Sequence, residues 1–131
     1  MMYREPSDSP WGLVVRCDTL CPGVYSVSTA GHGGIMAQID AARQLLSLEA
    51  QQVGFQAGGD LNFEEDCDAP VVLRELMDSG IIAPRTDNYF RPGEYEACID
   101  RSLQHWNPAY WQARQERLSV REAKAAKERE R

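Results

Sequence analysis

The chain has 131 residues and a formal net charge of −6, a length that suits one domain with its own hydrophobic core. Hydrophobic residues make up 43% and charged residues 26%, which argues against disorder of the whole chain. An acidic chain is a poor general binder of nucleic acid, and no apolar run is long enough to cross a membrane. Because the sequence starts with polar residues, we expect a cytoplasmic protein.

The charge is divided unevenly along the chain. Residues 1–110 contain no lysine and have a net charge of −9, whereas residues 111–131 have a net charge of +3. We therefore predict an acidic domain over residues 1–110 and a basic helical extension over residues 111–131. The extension is either a solvated helix face or an arm that contacts a partner or nucleic acid.

The N-terminal part of the sequence predicts a β-hairpin. Residues 11–17 and 24–29 are rich in valine and aromatic residues, and Pro22-Gly23 between them favours a turn. Residues 55–63 contain a Gly-Gly pair and form either a loop or a third strand. The expected sheet is therefore small and antiparallel.

Helices are predicted for most of the remaining chain. Apolar residues at helical spacing indicate a first helix that starts at Ile35 and ends before Gly54. Three further helices are expected over residues 70–79, 94–106 and 109–127. Asp68 and Asn107 are the predicted N-caps of the second and last of these four helices. The sequence thus predicts an α+β fold with three to four helices packed on the sheet and a charged C-terminal helix.

Four cysteines raise the question of disulfides or zinc: Cys17, Cys21, Cys67 and Cys98. No pair of CxxC motifs and no HxxxH motif accompanies them, so the spacing of a recognised zinc site is absent. We predict structural thiols. The alternative is an irregular metal site that uses Cys17 and Cys21.

The run Gly31-His32-Gly33-Gly34 is the first candidate site, expected between a strand and the helix that starts at Ile35. The free N–H groups of a helix start attract anions, and a histidine beside them can act as a general base. The alternative is a turn whose glycines serve geometry alone. Neither the GxGxxG spacing of a dinucleotide site nor the GK[ST] of a phosphate-binding loop is present.

A dense acidic run is the second candidate site. Five carboxylates fall within nine residues with no basic residue between them: Asp60, Glu64, Glu65, Asp66 and Asp68. Such a run can cap a helix and maintain solubility, or it can imitate nucleic-acid phosphates and occupy a basic groove. It can also supply His32 with an orienting carboxylate or a metal ligand, although the EF-hand spacing is absent. Tyr89 and Phe90 are the aromatic candidates for a partner contact.

Two motifs suggest a family. The run from Ser26 to Ile35 (SVSTAGHGGI) and the run from Phe63 to Asp68 (FEEDCD) resemble a domain-of-unknown-function family met in proteins of bacterial plasmids and phages. The resemblance covers about residues 11–110 and leaves the basic segment outside. It implies membership of a mobile element and hence a role against host defence, such as anti-CRISPR or antirestriction activity.

Two functions therefore remain open. The first is a non-enzymatic inhibitor in the host cytoplasm that binds a defence protein with a basic surface and needs no metal or cofactor. Its expected contact residues are Asp60, Glu64, Glu65, Asp66, Asp68, Tyr89 and Phe90. The second is a small hydrolytic or metal-dependent enzyme that uses His32 with Glu64, Glu65 or Asp66.

Overall fold

The computed structural model describes residues 3–130 and has an α+β fold, as predicted. These residues form seven strands and five helices. The strands are β1 (Asp8–Ser9), β2 (Gly12–Leu13), β3 (Arg16–Cys21), β4 (Val24–Ser28), β5 (Gly33–Gln38), β6 (Phe55–Ala57) and β7 (Asp60–Glu64). The helices are α1 (Ile39–Leu45), α2 (Leu48–Val53), α3 (Ala69–Asp78), α4 (Glu94–Trp106) and α5 (Pro108–Arg129).

Five of the strands form one antiparallel sheet with the order β3-β4-β5-β7-β6, and β1 pairs with β2 in a separate hairpin. The predicted N-terminal hairpin is present as β3 and β4, but its first strand lies later than residues 11–17. Residues 55–63 contain two strands, β6 and β7, joined by a turn at Gly58-Gly59. The sheet is therefore larger than the two or three strands expected.

The molecule has three layers. One face of the sheet carries Val24, Ile35 and Phe63 into a core that all five helices complete. The opposite face carries Tyr25, Val27 and Met36, which pack against the N-terminal segment that contains β1 and β2. Successive strand residues point to opposite faces of the sheet. Because each face is covered by another layer, the side chains on both faces of the central strands are buried. This covering segment brings Trp11 over the sheet.

The prediction of one helix from Ile35 to Val53 is wrong. Gly33–Gln38 is the central strand β5, and the helical part is split into α1 and α2 at the extended residue Leu46. Ile35 and Ala37 both face the helices, with the i, i+2 spacing of a strand. Pairing with β4 and β7 on both sides decides the conformation, because tertiary context overrides weak local propensity.

The helix bounds from α3 onward agree closely with the predicted ones, and Asp68 and Asn107 occupy the N-cap positions as predicted. Neither Asp68 nor Asn107 makes a capping hydrogen bond to its helix. Instead the Asn107 amide donates to the Cys67 carbonyl oxygen at 2.8 Å and to the Asp68 carboxylate at 3.2 Å. The two residues thus join the start of α3 to the junction between α4 and α5.

Candidate functional site

His32 lies in the turn between β4 and β5, and Thr29 holds that turn. The Thr29 hydroxyl accepts from the His32 backbone N–H at 3.1 Å and donates to the His32 carbonyl oxygen at 2.6 Å. The Thr29 backbone N–H also donates to that oxygen, at 2.7 Å. The imidazole is half-buried and its ring meets the Trp11 ring edge-on, with centroids 6.1 Å apart. The backbone and one face of His32 are therefore fixed.

The expected anion site at a helix start does not exist here, because a strand follows His32 and not a helix. The glycines after His32 serve packing. A side chain at Gly33 would collide with the Val27 carbonyl oxygen and crowd the Glu65 carboxylate. A side chain at Gly34 would collide with the Phe63 carbonyl oxygen and the Trp11 ring. Both glycines have negative φ, so close approach and not backbone freedom requires them.

The acidic run follows β7 directly, and sheet pairing brings it to His32. Gly34 is paired with Glu64 across the β5–β7 ladder, and the Glu65 backbone N–H donates to the Gly33 carbonyl oxygen at 3.1 Å. The His32 Nδ1 and Glu65 Oε1 atoms are 3.6 Å apart. Two motifs that are more than thirty residues apart in sequence therefore meet at one edge of the molecule.

Three of these side chains form a compact donor set. His32, Glu65 and Asp66 each offer one ligand atom, and the three atoms lie within 4.8 Å of one another. Glu65 and Asp66 are exposed, as is Glu64 at the end of β7. We use the name acidic surface for Glu64, Glu65, Asp66 and Asp68.

The acidic surface has no basic partner other than His32 among the ion pairs of residues 3–130. Cys67 lies within it and donates through Sγ to Glu64 at 3.7 Å. Burial, with the charges of Asp68 and Glu64, raises the pKa of the Cys67 thiol to about 11. A thiol in that state is a poor nucleophile at neutral pH.

The other predicted contact residues lie elsewhere. Asp60 is at the opposite end of β7 from Glu64, roughly 13 Å along the strand. Tyr89 and Phe90 belong to the segment between α3 and α4, at the far end of α3 from Asp68. Tyr89 is 83% exposed, whereas Phe90 packs edge-on against Tyr95.

Two tryptophans are linked to the acidic surface through residues that the fold brings together. Trp11 contacts His32 from the covering segment, and Trp106 precedes Asn107, whose amide binds Cys67 and Asp68. Trp106 is 55% exposed. No local sequence signal connects either tryptophan to the acidic run. Trp11 reaches His32 only because the N-terminal segment packs on the sheet, and Trp106 is connected only through Asn107 at the α4–α5 junction.

The cysteine alternative fails on geometry. Cys17 packs with Tyr25 and Val27 on one face of the sheet, whereas Cys21 packs against the helix-side core. An irregularity in β3 between Thr19 and Cys21 accompanies this change of face. The two thiols cannot share a metal ion, and all four cysteines are free.

The chain also has a buried ion-pair network that the sequence analysis missed. Glu75 accepts from the Tyr110 hydroxyl at 2.6 Å and from Arg117 at 3.1 Å. Asp78 pairs with Arg114 at 2.7 Å and with Arg74 at 3.1 Å. The spacing of Glu75 with Asp78, and of Arg114 with Arg117, places each pair on one helix face, which is a signal that the sequence does contain.

A family model for a domain of unknown function (DUF7007) matches residues 4–131. The chain belongs to this family. The match includes the basic C-terminal segment, which the resemblance over residues 11–110 had left outside. Searches of curated proteins and of solved structures found no match.

The boundary predicted between residues 110 and 111 falls inside α5, and Arg114 and Arg117 on that helix bind acids of α3. Within residues 3–130, no helix is long and apolar enough to cross a membrane.

Proposed function

We propose that this chain inhibits a bacterial defence complex, of CRISPR or restriction type, by binding it directly through the acidic surface. The observation that carries the proposal is that Glu64, Glu65 and Asp66 form no ion pair with an arginine or lysine of residues 3–130, although acids elsewhere are paired with arginine. Unpaired carboxylates on an ordered turn match a groove that has evolved to bind phosphates. The mobile-element part of the proposal rests on the resemblance alone.

The surroundings of the acidic surface suit a protein contact. Backbone hydrogen bonds from Glu65 to Gly33 and from Asp68 to Glu64 fix the turn, which lowers the entropic cost of binding. Trp106, more than half exposed, directly precedes Asn107, whose amide binds Cys67 and Asp68, and is an aromatic candidate for an interface anchor. Charge would then guide association, and the aromatic side chain would contribute to affinity.

The test uses purified CRISPR effector complexes and restriction enzymes, assayed for DNA binding and cleavage with and without the chain. Reversal of Glu64, Glu65 and Asp66 to lysine should weaken inhibition about tenfold or more and make it less sensitive to salt. A matched control reverses three exposed acids in or directly after α5, with the same change in net charge: Glu122→Lys, Glu128→Lys and Glu130→Lys. Equal inhibition by the two triple variants contradicts the proposal.

The second candidate function is a small enzyme in which His32 is the general base and Glu65 orients its imidazole. The 3.6 Å separation of His32 Nδ1 from Glu65 Oε1 favours it, since such pairs often shorten when substrate binds. An enzyme inactivates its target at substoichiometric amounts and leaves it modified, which mass spectrometry detects. A one-to-one titration with an unmodified target, or a folded His32→Ala variant with full activity, excludes this candidate.

A further inference from the structure

We infer that His32, Glu65 and Asp66 form a binding site for a first-row divalent transition metal such as zinc. The inference goes beyond both proposed functions, because a metal ion can bind whether or not the chain has a partner or a substrate. The sequence analysis left a metal ligand beside His32 open only as an alternative, since the ligands come from two segments with no recognised spacing. Sheet pairing between β5 and β7 creates the set.

The distances fit ligands of one ion better than a hydrogen-bonded pair. His32 Nδ1 and Glu65 Oε1 are 3.6 Å apart, whereas an N–H···O bond requires roughly 2.7–3.2 Å. Two ligands that are each about 2.0–2.1 Å from a tetrahedral zinc ion lie about 3.4 Å from each other. All three donor atoms are within 4.8 Å of one another, and rotation of the exposed Glu65 and Asp66 carboxylates closes the remaining gap.

The support around the donors is built before any ion arrives. The turn that carries His32 is held by hydrogen bonds from Thr29, and the imidazole packs in a T-shaped arrangement with the Trp11 ring. The bare Cα of Gly33 leaves room for the Glu65 carboxylate, which a side chain at that position would crowd. Glu65 is held to the same strand by its backbone hydrogen bond to the Gly33 carbonyl oxygen. The backbone positions of His32 and Glu65 are therefore already set.

The donor chemistry selects the kind of metal. One imidazole nitrogen with two carboxylates suits zinc or manganese, whereas calcium and magnesium prefer oxygen ligands alone. No arginine or lysine within residues 3–130 forms an ion pair with Glu65 or Asp66, so a metal ion competes with no resident cation. Three protein ligands also leave positions open for water.

The test is calorimetric titration of the whole chain with Zn²⁺ and, separately, with Mg²⁺. We expect one saturable zinc site per chain and much weaker binding of magnesium. His32→Ala, Glu65→Gln and Asp66→Asn should each weaken zinc binding about tenfold or more. The matched controls are His105→Ala, an exposed histidine on α4, and Glu128→Gln on α5, which should change the affinity less than twofold.

A second measurement tests whether the metal ion binds at the proposed residues. Paramagnetic Mn²⁺ should broaden the NMR amide signals of residues 32–33 and 65–66 at concentrations that leave the signals around Glu128, at the far end of α5, unchanged. Circular dichroism confirms that each variant is folded. The inference is overturned if zinc binds no more tightly than magnesium, if His32→Ala binds zinc like the unaltered chain, or if His105→Ala removes the binding. Inhibition assays run in EDTA test the acidic surface separately, so the two proposals can fail independently.

Discussion

The acids of α3 and the acids after β7 have opposite environments in the same small molecule. Glu75 and Asp78 are bonded to arginines and a tyrosine, and the Arg74 and Arg114 side chains that meet Asp78 are only 9% and 8% exposed. Glu64, Glu65 and Asp66 are exposed and have no arginine partner in residues 3–130. The first set is placed to hold helices together, whereas the second set is available to a ligand.

This difference changes how the distribution of charge along the sequence is interpreted. In sequence the chain divides into an acidic part and a basic tail at residue 110. In the folded molecule, Arg114 and Arg117 of the tail pair with Asp78, Glu75 and Glu49. Part of the basic tail therefore neutralises the helical layer, and the uncompensated negative charge includes the acidic surface beside His32.

The largest expected effect is a loss of stability on removal of an ion-paired acid of α3. Asp78→Ala leaves Arg74 and Arg114 without their shared carboxylate, which should lower the free energy of unfolding by about 3 kcal/mol. Glu65→Ala, in the unpaired region, should change it by less than about 0.5 kcal/mol. Urea unfolding measures both. Similar losses for the two variants would remove the distinction between the regions.

A smaller effect tests whether packing, and not charge, supports the acidic surface. Gly34→Ala places a methyl group against Trp11 and the Phe63 carbonyl oxygen, so we expect a loss of about 2 kcal/mol in thermal or urea unfolding. Gly31→Ala is the matched control, because its new Cβ would meet no atom within 4 Å and the expected change is under about 0.5 kcal/mol. A neutral Gly34→Ala would mean that Trp11 is not held against the sheet.

The smallest expected effect is a dependence of folding stability on pH that comes from Asp78, one of the ion-paired acids of α3. Burial by itself raises the pKa of Asp78, but the hydrogen bonds and charges of Arg114 and Arg74 outweigh it and hold that pKa below its ordinary value. The stabilisation is therefore fully present above the unfolded-state pKa of about 3.9 and is lost as pH falls through the lower folded value.

Urea unfolding between pH 5 and pH 2 should show this loss, and Asp78→Asn should reduce the slope over the same range. An unchanged slope in that variant would mean that other carboxylates cause the acid sensitivity. The comparison requires the variant to retain enough stability at pH 5 for a complete unfolding curve.

Local signals were sufficient for the later helices. The bounds of α4 were predicted at residues 94–106 and are Glu94–Trp106, because one apolar face and a closing Asn-Pro pair both indicate the same segment. Around Ile35 the same reasoning failed, since short apolar runs fit helix and strand alike. Only the two neighbouring strands made Gly33–Gln38 a strand.

The members of the candidate site could be named from sequence, but their arrangement could not. The glycine-flanked His32 and the acid run are visible as unusual local composition. Whether Glu65 or Asp60 lies beside His32 depends on the antiparallel pairing of β5 with β7, which places Glu65 at the His32 end of the strand and Asp60 at the other end. A shift in register would change the partner of His32.

The sequence by itself determined the fold class, the later helices and the presence of a lysine-free acidic part, because these depend on local periodicity and on composition. The tertiary structure decided which acids are neutralised, which are free and which of them meet His32. Those outcomes depend on contacts between residues more than thirty positions apart, such as Asp78 with Arg114 and His32 with Glu65. Such contacts exist only after the sheet and the helices have packed.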